Sequence, residues 1–254
     1  MKIIFLAGKG QSTVFLYNAL KDDFNIAAVL QEDRVDSKKL IKGRIKRLGY
    51  ISVFNQLLFQ TIISKILFYF SKNRIEKLKL KYSLSSTPIP EQKIINVSSV
   101  NSEESIKNLK NFDADVIIVN GTRIISKKVL ESTKAKFINT HVGITPFYRG
   151  VHGAYWALVA KDINNCGVTI HEVDQGIDTG SILRQERITI SKKDNFTTYP
   201  YHQYGVSVAP MKAVLNDIKN NTLVKQKKAP HKGKLYYHPT FTGYLYNRIF
   251  KGVK

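Results

Sequence analysis

Three side chains of this sequence have the types and spacing that proton-coupled chemistry needs. Asn139 and His141 lie two positions apart, and Asp178 follows 37 residues after His141. An asparagine amide can donate a hydrogen bond to a developing oxyanion, and a histidine can move a proton near neutral pH. An aspartate can orient the imidazole, balance its charge or take part in the proton transfer. Since no serine or cysteine stands among the three as a nucleophile, this set indicates acyl transfer in which the acceptor substrate supplies the attacking atom.

Further motifs complete a longer pattern around these side chains. After the asparagine and histidine come Pro146 and Gly150, then residues 167–170 with the sequence GVTI, and then residues 177–180 with the sequence IDTG. In this order the motifs resemble the folate-dependent formyltransferase family, most closely its sugar N-formyltransferases, over roughly residues 90–190. The loop after the histidine departs from the S-L-L-P sequence of many members, because residues 142–146 read VGITP. The departure concerns the acceptor pocket rather than the three side chains predicted to carry the chemistry.

The resemblance implies a reaction and a role for each of the three side chains. The formyl group of N10-formyltetrahydrofolate would pass to a primary amine. His141 would help to deprotonate the attacking amine, Asn139 would stabilise the tetrahedral oxyanion, and Asp178 would orient His141 or relay the proton to the leaving folate nitrogen. No metal is expected, because the sequence has no cluster of metal-ligand residues. The segment implied to bind the folate co-substrate follows a strand ahead of the motif and comprises Gly121, Thr122, Arg123, Ile124 and Ile125.

Comparison with other members of the family narrows the choice of acceptor amine. Methionyl-tRNA formyltransferases carry a further carboxyl-terminal RNA-binding domain, for which the segment after residue 190 is too short. Glycinamide ribonucleotide transformylases are usually shorter, and formyltetrahydrofolate hydrolases have an additional regulatory domain. The expected acceptor is therefore an amino sugar, nucleotide-linked, that is used in surface polysaccharide. Methionyl-tRNA and glycinamide ribonucleotide remain alternative acceptors, and a basic membrane- or RNA-associated protein with a vestigial site remains an alternative class.

Residues beside the motif and in the first glycine-rich turn are candidate contacts for this substrate. Residues 8–13 read GKGQST, and Thr13 stands where a dinucleotide-binding fingerprint has its third glycine, so the turn is either a phosphate site or a plain strand-to-helix turn. His171, on the GVTI strand, is open to a structural role or a place in the site. The candidate substrate-binding residues are Gly8, Lys9, Gly10, Tyr148, Arg149, Gly150 and His152.

Composition and charge bound the kind of protein. The chain has 254 residues, of which 43% are apolar, and its one cysteine, Cys166, excludes an internal disulfide and fits a reducing compartment. The net charge of +21 attracts polyanions, which suits a phosphorylated substrate. Nucleic acid is not the expected partner. Peripheral contact with an anionic membrane remains an alternative. No secretory signal is visible, and no apolar run reaches the roughly 18–20 residues that span a bilayer. A cytoplasmic homodimer is expected.

Predicted strands and helices alternate along the chain and position these residues. This order is typical of an α/β protein with a Rossmann-like mixed sheet, the formyltransferase fold. Strands are predicted at residues 2–7, 26–30, 93–97, 115–120 and 136–140, and helices between them, with Asn101 as the cap of a helix over 102–109. An antiparallel pair at residues 167–173 and 182–190 would fold Asp178 back towards His141. Residues 1–190 are the predicted catalytic domain, and residues 191–254 a short extension with a helix at 205–220 and an aromatic, basic tail.

A basic insertion interrupts this alternation at about residues 37–82. It carries twelve lysines and arginines against one acid, Glu76, and its apolar residues lie at helical spacing. We expect helices whose apolar side is covered by the body of the protein or by a second subunit, with the cations exposed. The alternative is a basic amphipathic surface that rests on an anionic membrane.

Overall fold

A central mixed sheet organises the molecule. The computed structural model describes residues 1–226 and 233–254. Its strands are β1 Lys2–Ala7, β2 Asn25–Glu32, β3 Ile94–Val97, β4 Val116–Asn120, β5 Lys136–His141, β6 Tyr148–Gly150, β7 Gly167–Glu172, β8 Ile182–Arg187 and β9 Lys234–Tyr236. Within the described residues, seven of them form one sheet in the order β3-β2-β1-β4-β5-β7-β8, while β6 and β9 pair separately. The first five strands in that order are parallel, and β7 and β8 are antiparallel to their neighbours.

Helices cover both faces of this sheet. They are α1 Gln11–Leu20, α2 Ser37–Leu48, α3 Tyr50–Leu58, α4 Ser64–Lys81, α5 Glu103–Phe112, α6 Lys127–Leu130, α7 Gly153–Val159, α8 Tyr199–Lys219 and α9 Phe241–Lys251. Alternate residues of each parallel strand point to opposite faces: Phe5 of β1 packs with Leu20 of α1 and Val214 of α8, whereas Leu6 packs with Leu109 of α5. The predicted α/β fold with a Rossmann-like mixed sheet is confirmed.

Local signals set the element boundaries to within a few residues. The strand predicted at 2–7 is found there, and β7 and β8 form the predicted antiparallel pair. The prediction of Asn101 as the cap of α5 is wrong, because the Ser102 hydroxyl accepts the hydrogen bond of the Ser105 amide, at 3.2 Å. The Asn101 side chain instead ties two loops together, since it donates to the carbonyl of Ile124 and accepts from the amide of Ser126.

The basic insertion is helical, as predicted, and it packs on the body along one side. A π-helical turn, Phe59–Ile63, joins α3 to α4, so the helix is continuous from residue 50 to residue 81. Val53, Phe59, Ile75 and Leu78 are buried at intervals of three or four residues or their multiples, which is the spacing of one helix face. Phe59 lies between Phe196 and Tyr244, with ring centroids 4.8 and 5.0 Å away. This face fixes the helix against α8 and α9.

The body of this single chain covers only part of the apolar side of the insertion, so cover of the remainder by a second subunit stays a prediction. Several of its large apolar side chains are exposed, namely Ile62, Ile66, Phe68 and Phe70, the last to 79%. The reason is that the body covers only one face of this helix, whereas apolar residues lie on two of its faces. By length and composition alone, one helix of the described residues, Tyr50–Lys81, could cross a membrane, and 17% of its most apolar stretch is buried. Within that helix the apolar residues are interrupted by polar ones.

A buried ion-pair network anchors the insertion to the body. The Arg74 guanidinium donates to both carboxylate oxygens of Asp194, at 2.8 and 3.0 Å, and His202 Nε2 lies 3.1 Å from Asp194 Oδ1. Burial alone would raise the pKa of Asp194, but His202, Arg74 and Ser191 hold that pKa well below its ordinary range. Arg74 lies on α4 and His202 on α8, so the carboxylate links two elements that are distant in sequence.

Replacing Asp194 with asparagine is expected to lower the free energy of unfolding by about 3 kcal/mol, because removing one partner leaves buried charge uncompensated. A carboxyl whose folded pKa is depressed stabilises the fold above its ordinary pKa of about 4, and this contribution is lost as the pH falls below that value. Denaturant titrations at several pH values measure both effects. The matched control is Asp217→Asn, which breaks the more exposed pair with Arg184 and should cost less than about 1 kcal/mol. Equal losses in the two variants would contradict the anchoring role.

The C-terminal residues contribute a helix, a strand and an aromatic layer. Helix α8 begins at Tyr199, earlier than predicted, and contains Pro210. β9 pairs with β6 next to the motif, and the ring of Tyr236 stacks on that of Tyr148 with centroids 5.4 Å apart.

Residues 227–232 of the predicted extension lie outside the described residues. The predicted domain boundary at residue 190 stays a prediction; α8 packs against α1, β7 and β8.

Candidate active site

Strand β5 delivers Asn139 and His141 to the carboxyl end of the parallel strands, where open α/β sheets bind ligands. Asn139 pairs in register with Val119 of β4 on one side and with His171 of β7 on the other. His141 is the last residue of the strand and is 4% exposed. The strand period of two places both side chains on the same face of the sheet.

The loop between β7 and β8 brings Asp178 back to this face, as the antiparallel pair predicts. Asp178 Oδ2 lies 3.2 Å from His141 Nδ1 and accepts a hydrogen bond of 2.9 Å from the Gly150 amide. The backbone of Asp178 has φ 53°, a left-handed conformation that aspartate tolerates better than most residues. The structure therefore places the three residues predicted to be catalytic side by side.

The surroundings of His141 favour a neutral imidazole that is ready to accept a proton. Its Nε2 lies 2.7 Å from the Tyr148 carbonyl oxygen, which can only accept, so Nε2 carries a hydrogen and Nδ1 is the basic atom of the neutral ring. Burial lowers the pKa of His141, and the nearby charge of Asp178 partly offsets that effect. The proton taken up at Nδ1 would face the Asp178 carboxylate, which would stabilise it.

Asp178 is held in its charged form despite being buried. Burial alone would raise its pKa, but the two neighbouring histidines, His171 and His141, and the Gly150 amide together lower the pKa below the ordinary aspartate value. The carboxylate thus sits between two histidines, with Oδ1 3.6 Å from His171 Nε2. Such an arrangement is suited to balancing charge on an imidazole during proton transfer.

His171, for which the sequence allows a structural role or a place in the site, lies in the site. Its Nδ1 is 2.7 Å from the Glu172 carbonyl oxygen, and its Nε2 is 3.2 Å from Asn139 Nδ2. Since the carbonyl requires a hydrogen on Nδ1, the neutral ring leaves Nε2 to accept from the Asn139 amide. His171 therefore orients the amide that was predicted to act on the oxyanion.

A glycine next to the motif keeps the histidine in place. A β-carbon on Gly143 would come within 2.4 Å of the Tyr148 carbonyl oxygen and 2.6 Å of His141 Nε2. Both atoms belong to the hydrogen bond that sets the tautomer of His141. The loop sequence that departs from the family pattern thus accommodates the imidazole through its glycine.

Three cavities meet at these residues. The first, of about 350 Å³, is lined by the segment 121–125, by residues of the β7–β8 loop and by Gln56 of α3. The second, of about 340 Å³, contains His141 together with hydroxyl and amide side chains. Asn139, Gly150 and Asp178 line both. The third, of about 530 Å³, surrounds the first glycine-rich turn and shares Gly121 and Thr122 with the other two.

The predicted binding residues divide among these cavities. All five residues of the predicted folate segment, Gly121, Thr122, Arg123, Ile124 and Ile125, line the first cavity. Gly8, Lys9 and Gly10 line the third cavity, and Gly150 lies between the first and the second.

Tyr148, Arg149 and His152 are not among the lining residues of the described cavities, although they were predicted to contact substrate. The Tyr148 hydroxyl donates to Asp162 and Arg149 donates to the Gly233 carbonyl, so both side chains turn into the protein. His152 Nε2 lies 2.9 Å from His238 Nδ1. The side chains of Tyr148, Arg149 and His152 therefore pack beneath the site and do not line the described cavities.

Other lining residues come from elements that sequence patterns could not connect to the motif. Gln56, Arg44 and Arg47 of the insertion reach the first cavity, and Tyr204 and Ser207 of α8 reach the second. No local signal marks them, because each arrives by long-range packing. In the part of the chain that the structure describes, no group of three or more histidine, cysteine, aspartate or glutamate side chains could hold a metal ion.

Related sequences agree on one family. The family model described as formyl transferase matches residues 63–203. A methionyl-tRNA formyltransferase from Halothermothrix orenii is 28% identical over 61% of this chain and 51% of its own. A GDP-perosamine N-formyltransferase from Brucella melitensis is 30% identical over 46% of each chain. The chain thus spans about half the length of these relatives.

Solved structures share the fold and, together with the family model, lead to an assignment. A protein from Mycobacterium tuberculosis, described as a likely sugar N-formyltransferase, has a TM-score of 0.58 at 13% identity and covers 93% of this chain and 75% of its own. A 4-N formyltransferase from Francisella tularensis has a TM-score of 0.56 at 18% identity, over 92% and 76%. Because the family model matches more than half of its residues, this chain belongs to the formyl transferase family.

Proposed function

We propose that this protein is an N-formyltransferase that moves a formyl group from N10-formyltetrahydrofolate to the primary amine of a nucleotide-linked amino sugar. One observation carries the proposal: Asn139 and Asp178 line two cavities at once, and His141 stands beside them in the second. A group-transfer enzyme needs its donor and acceptor to meet at the catalytic side chains.

The first cavity suits the folate co-substrate. Val119, Val173 and Ile177 give it apolar walls, and the loop 121–125 supplies backbone groups. Gln56 Oε1 is buried at this cavity without a hydrogen-bond partner, and buried acceptors of this kind usually have one, so a donor such as an amino group of the pterin would satisfy it. When bound, the co-substrate supplies an activated formyl carbon and a nitrogen leaving group.

The second cavity suits an amino sugar. Its lining is rich in groups that recognise hydroxyls, namely the side chains of Ser12, Asn120, Thr122, Thr140, Tyr204 and Ser207. Thr140 Oγ1 is buried there without a hydrogen-bond partner. A volume of about 340 Å³ fits one small polar ligand, and small-molecule sites usually fall in the range of roughly 300–1,000 Å³.

The third cavity suits the phosphates of a nucleotide carrier. Lys9, Arg34 and Arg123 line it together with two acids. Lys9 pairs with Asp33 at 2.9 Å, with both side chains partly exposed, and such a pair contributes only about 0–1 kcal/mol. Lys9 can therefore turn to a phosphate at little cost. Because this cavity shares Ser12 and Thr122 with the second, a linked sugar and diphosphate could occupy both.

The side chains then have distinct tasks in the transfer. His141 accepts the proton that the attacking amine loses, the Asp178 carboxylate stabilises the imidazolium, and His141 then returns the proton to the departing nitrogen of the co-substrate. Asn139, oriented by His171, donates to the oxyanion that forms on the formyl oxygen. The relatives support the sugar acceptor through the GDP-perosamine N-formyltransferase, and a structural neighbour from Anoxybacillus kamchatkensis was solved with a UDP-linked formamido sugar and tetrahydrofolate. We infer a role in surface polysaccharide synthesis; the cytoplasmic location stays a prediction.

Methionyl-tRNA is the second candidate acceptor. Two observations favour it: a relative named methionyl-tRNA formyltransferase and a net charge of +21, which would attract an RNA backbone. The same charge also attracts a nucleotide diphosphate, so the two candidates have to be separated by assay.

The test incubates the purified full chain and N10-formyltetrahydrofolate with nucleotide-linked 3- and 4-amino sugars in one arm and with methionyl-tRNA in another. Mass spectrometry detects the added formyl group. We expect formylation of at least one nucleotide sugar, and no transfer to the same sugar with its amine acetylated. Turnover of methionyl-tRNA alone would replace the sugar proposal, and folate turnover with no acceptor would indicate a hydrolase.

A further inference from the structure

The insertion and the C-terminal helix both expose large apolar side chains, which we together name the apolar face. On the insertion it includes Tyr50, Ile51, Phe54 and Phe70, between 61% and 81% exposed. Phe250 on α9, which packs beside α3, is 71% exposed. Soluble monomers rarely leave so many large side chains in water together, and such patches mark protein or membrane contacts.

The geometry excludes one membrane arrangement and allows another. Phe59, Ile75 and Leu78 of the same helix are buried against the body, and Arg74 is tied to Asp194. A helix held along one side in this way cannot cross a bilayer without pulling out of the fold. It can, however, lie in the plane of the membrane interface with its opposite side immersed, as interfacial amphipathic helices do.

Basic residues flank the apolar face at both ends. At one end α2 carries Lys38, Lys42 and Lys46, and at the other end the later turns of α4 carry Lys72 and Lys77, all exposed. Glu76 is the one acid of residues 37–82, and α9 contains none. Lysines around a tyrosine- and phenylalanine-rich surface match the chemistry of anionic lipid head groups above acyl chains.

We propose that the apolar face docks this protein on the surface of an anionic phospholipid bilayer. The competing occupant is a second copy of the chain, as the homodimer expected from the sequence would require. A symmetric dimer through this face would bring two sets of flanking cations together with only Glu76 from each chain to pair with them. Like charges held close across an interface oppose association, whereas the bilayer supplies the missing anions.

Membrane docking would also bring the donor cavity close to lipid. Gln56 of α3 lines the first cavity from the side of the helix opposite Phe54 and Ile51, and Arg44 and Arg47 of α2 line it as well. A helix with its side chains is about 10 Å across. The wall of the donor cavity formed by Gln56 would therefore lie about one helix diameter from the head groups, whichever amine is the acceptor.

The test is flotation of the full-length protein with vesicles of phosphatidylcholine alone or mixed with phosphatidylglycerol, at low and high salt. We expect the anionic vesicles to bind at least about tenfold more strongly at low salt, with the preference lost as salt screens the lysines. Ile51→Ser/Phe54→Ser/Phe70→Ser should weaken binding about 100-fold, and Lys72→Gln/Lys77→Gln about 10- to 30-fold. These side chains are exposed, so the variants should keep the wild-type thermal unfolding curve.

Two matched variants serve as controls. Ile163→Ser removes an apolar side chain that is 59% exposed outside the apolar face, and Lys107→Gln/Lys110→Gln removes two exposed cations from α5. Both should float like the wild type. Equal losses in the controls, equal binding to neutral vesicles, or no flotation at all would overturn the proposal. A dimer seen by sedimentation without lipid, and abolished by the triple serine variant, would assign the face to a second copy.

Discussion

Replacing His141 with alanine is expected to lower kcat by about 10²- to 10⁴-fold, the contribution of a positioned acid–base group. The structure gives the imidazole one hydrogen bond, to the Tyr148 carbonyl, that sets its tautomer, and one partner, Asp178, that stabilises the proton it receives. Removing the ring removes both functions. Steady-state kinetics with the acceptor identified by the formylation assay measures the change.

Asp178→Ala should cost at least about 10²-fold in kcat, and the double variant little more than the worse single variant, because a coupled pair fails as a unit. The control is His202→Ala, a buried histidine of the Asp194 network. It should reduce thermal stability while folded protein keeps its kcat. Wild-type turnover in His141→Ala, or strictly multiplicative losses in the double variant, would remove these residues from the catalytic assignment.

The pH profile gives an independent reading of the same pair. Burial places the pKa of His141 below its ordinary value of about 6.5. We therefore expect kcat/KM to be constant from neutral pH down to about pH 6.5 and to fall at lower pH, where the imidazole becomes protonated. The charge of Asp178 raises the His141 pKa against the effect of burial. Asp178→Asn should therefore move the acidic limb to lower pH, in addition to lowering the plateau. A limb that moves to higher pH would contradict the electrostatic role.

Replacing Asn139 with alanine is expected to lower kcat by about 10²- to 10³-fold, the usual effect of losing one oxyanion donor. The amide is part-buried and already oriented by His171 Nε2 at 3.2 Å, so little reorganisation is needed when charge develops on the formyl oxygen. Kinetics at saturating folate and acceptor separates transition-state stabilisation from binding. An unchanged kcat with a raised KM would show that Asn139 only binds substrate.

Asn139→Asp provides the matched variant for this prediction. It keeps the size and shape of the side chain but replaces the donor with an acceptor, so it should lose at least as much activity as alanine. His171→Asn tests the positioning role: we expect a smaller loss in kcat than for Asn139→Ala, since the amide remains but is less well oriented. If His171→Asn were as inactive as His141→Ala, His171 would itself take part in the chemistry.

Much of the fold followed from short-range patterns in the sequence. The apolar run 2–7 followed by glycines predicted β1 and the turn into α1 because strand and helix periods depend on neighbouring residues only. The order of motifs from Asn139 to Asp178 predicted that an antiparallel pair would return Asp178 to His141, and the structure brings Oδ2 within 3.2 Å of Nδ1. Residue types and their spacing were sufficient for these inferences.

Tertiary packing decided what no local pattern contains. His171 reaches Asn139 because β5 and β7 pair in one particular register, and Gln56 and Ser207 enter the cavities from elements about 80 and 70 residues away from Asn139 in sequence. Tyr148 and Arg149 were placed in the substrate pocket by proximity in sequence, yet their side chains turn inward. The same reason explains the insertion: periodicity shows that a helix has apolar residues, but only the surrounding surface determines which of them are covered, and here Phe59 is buried while Phe70 faces solvent.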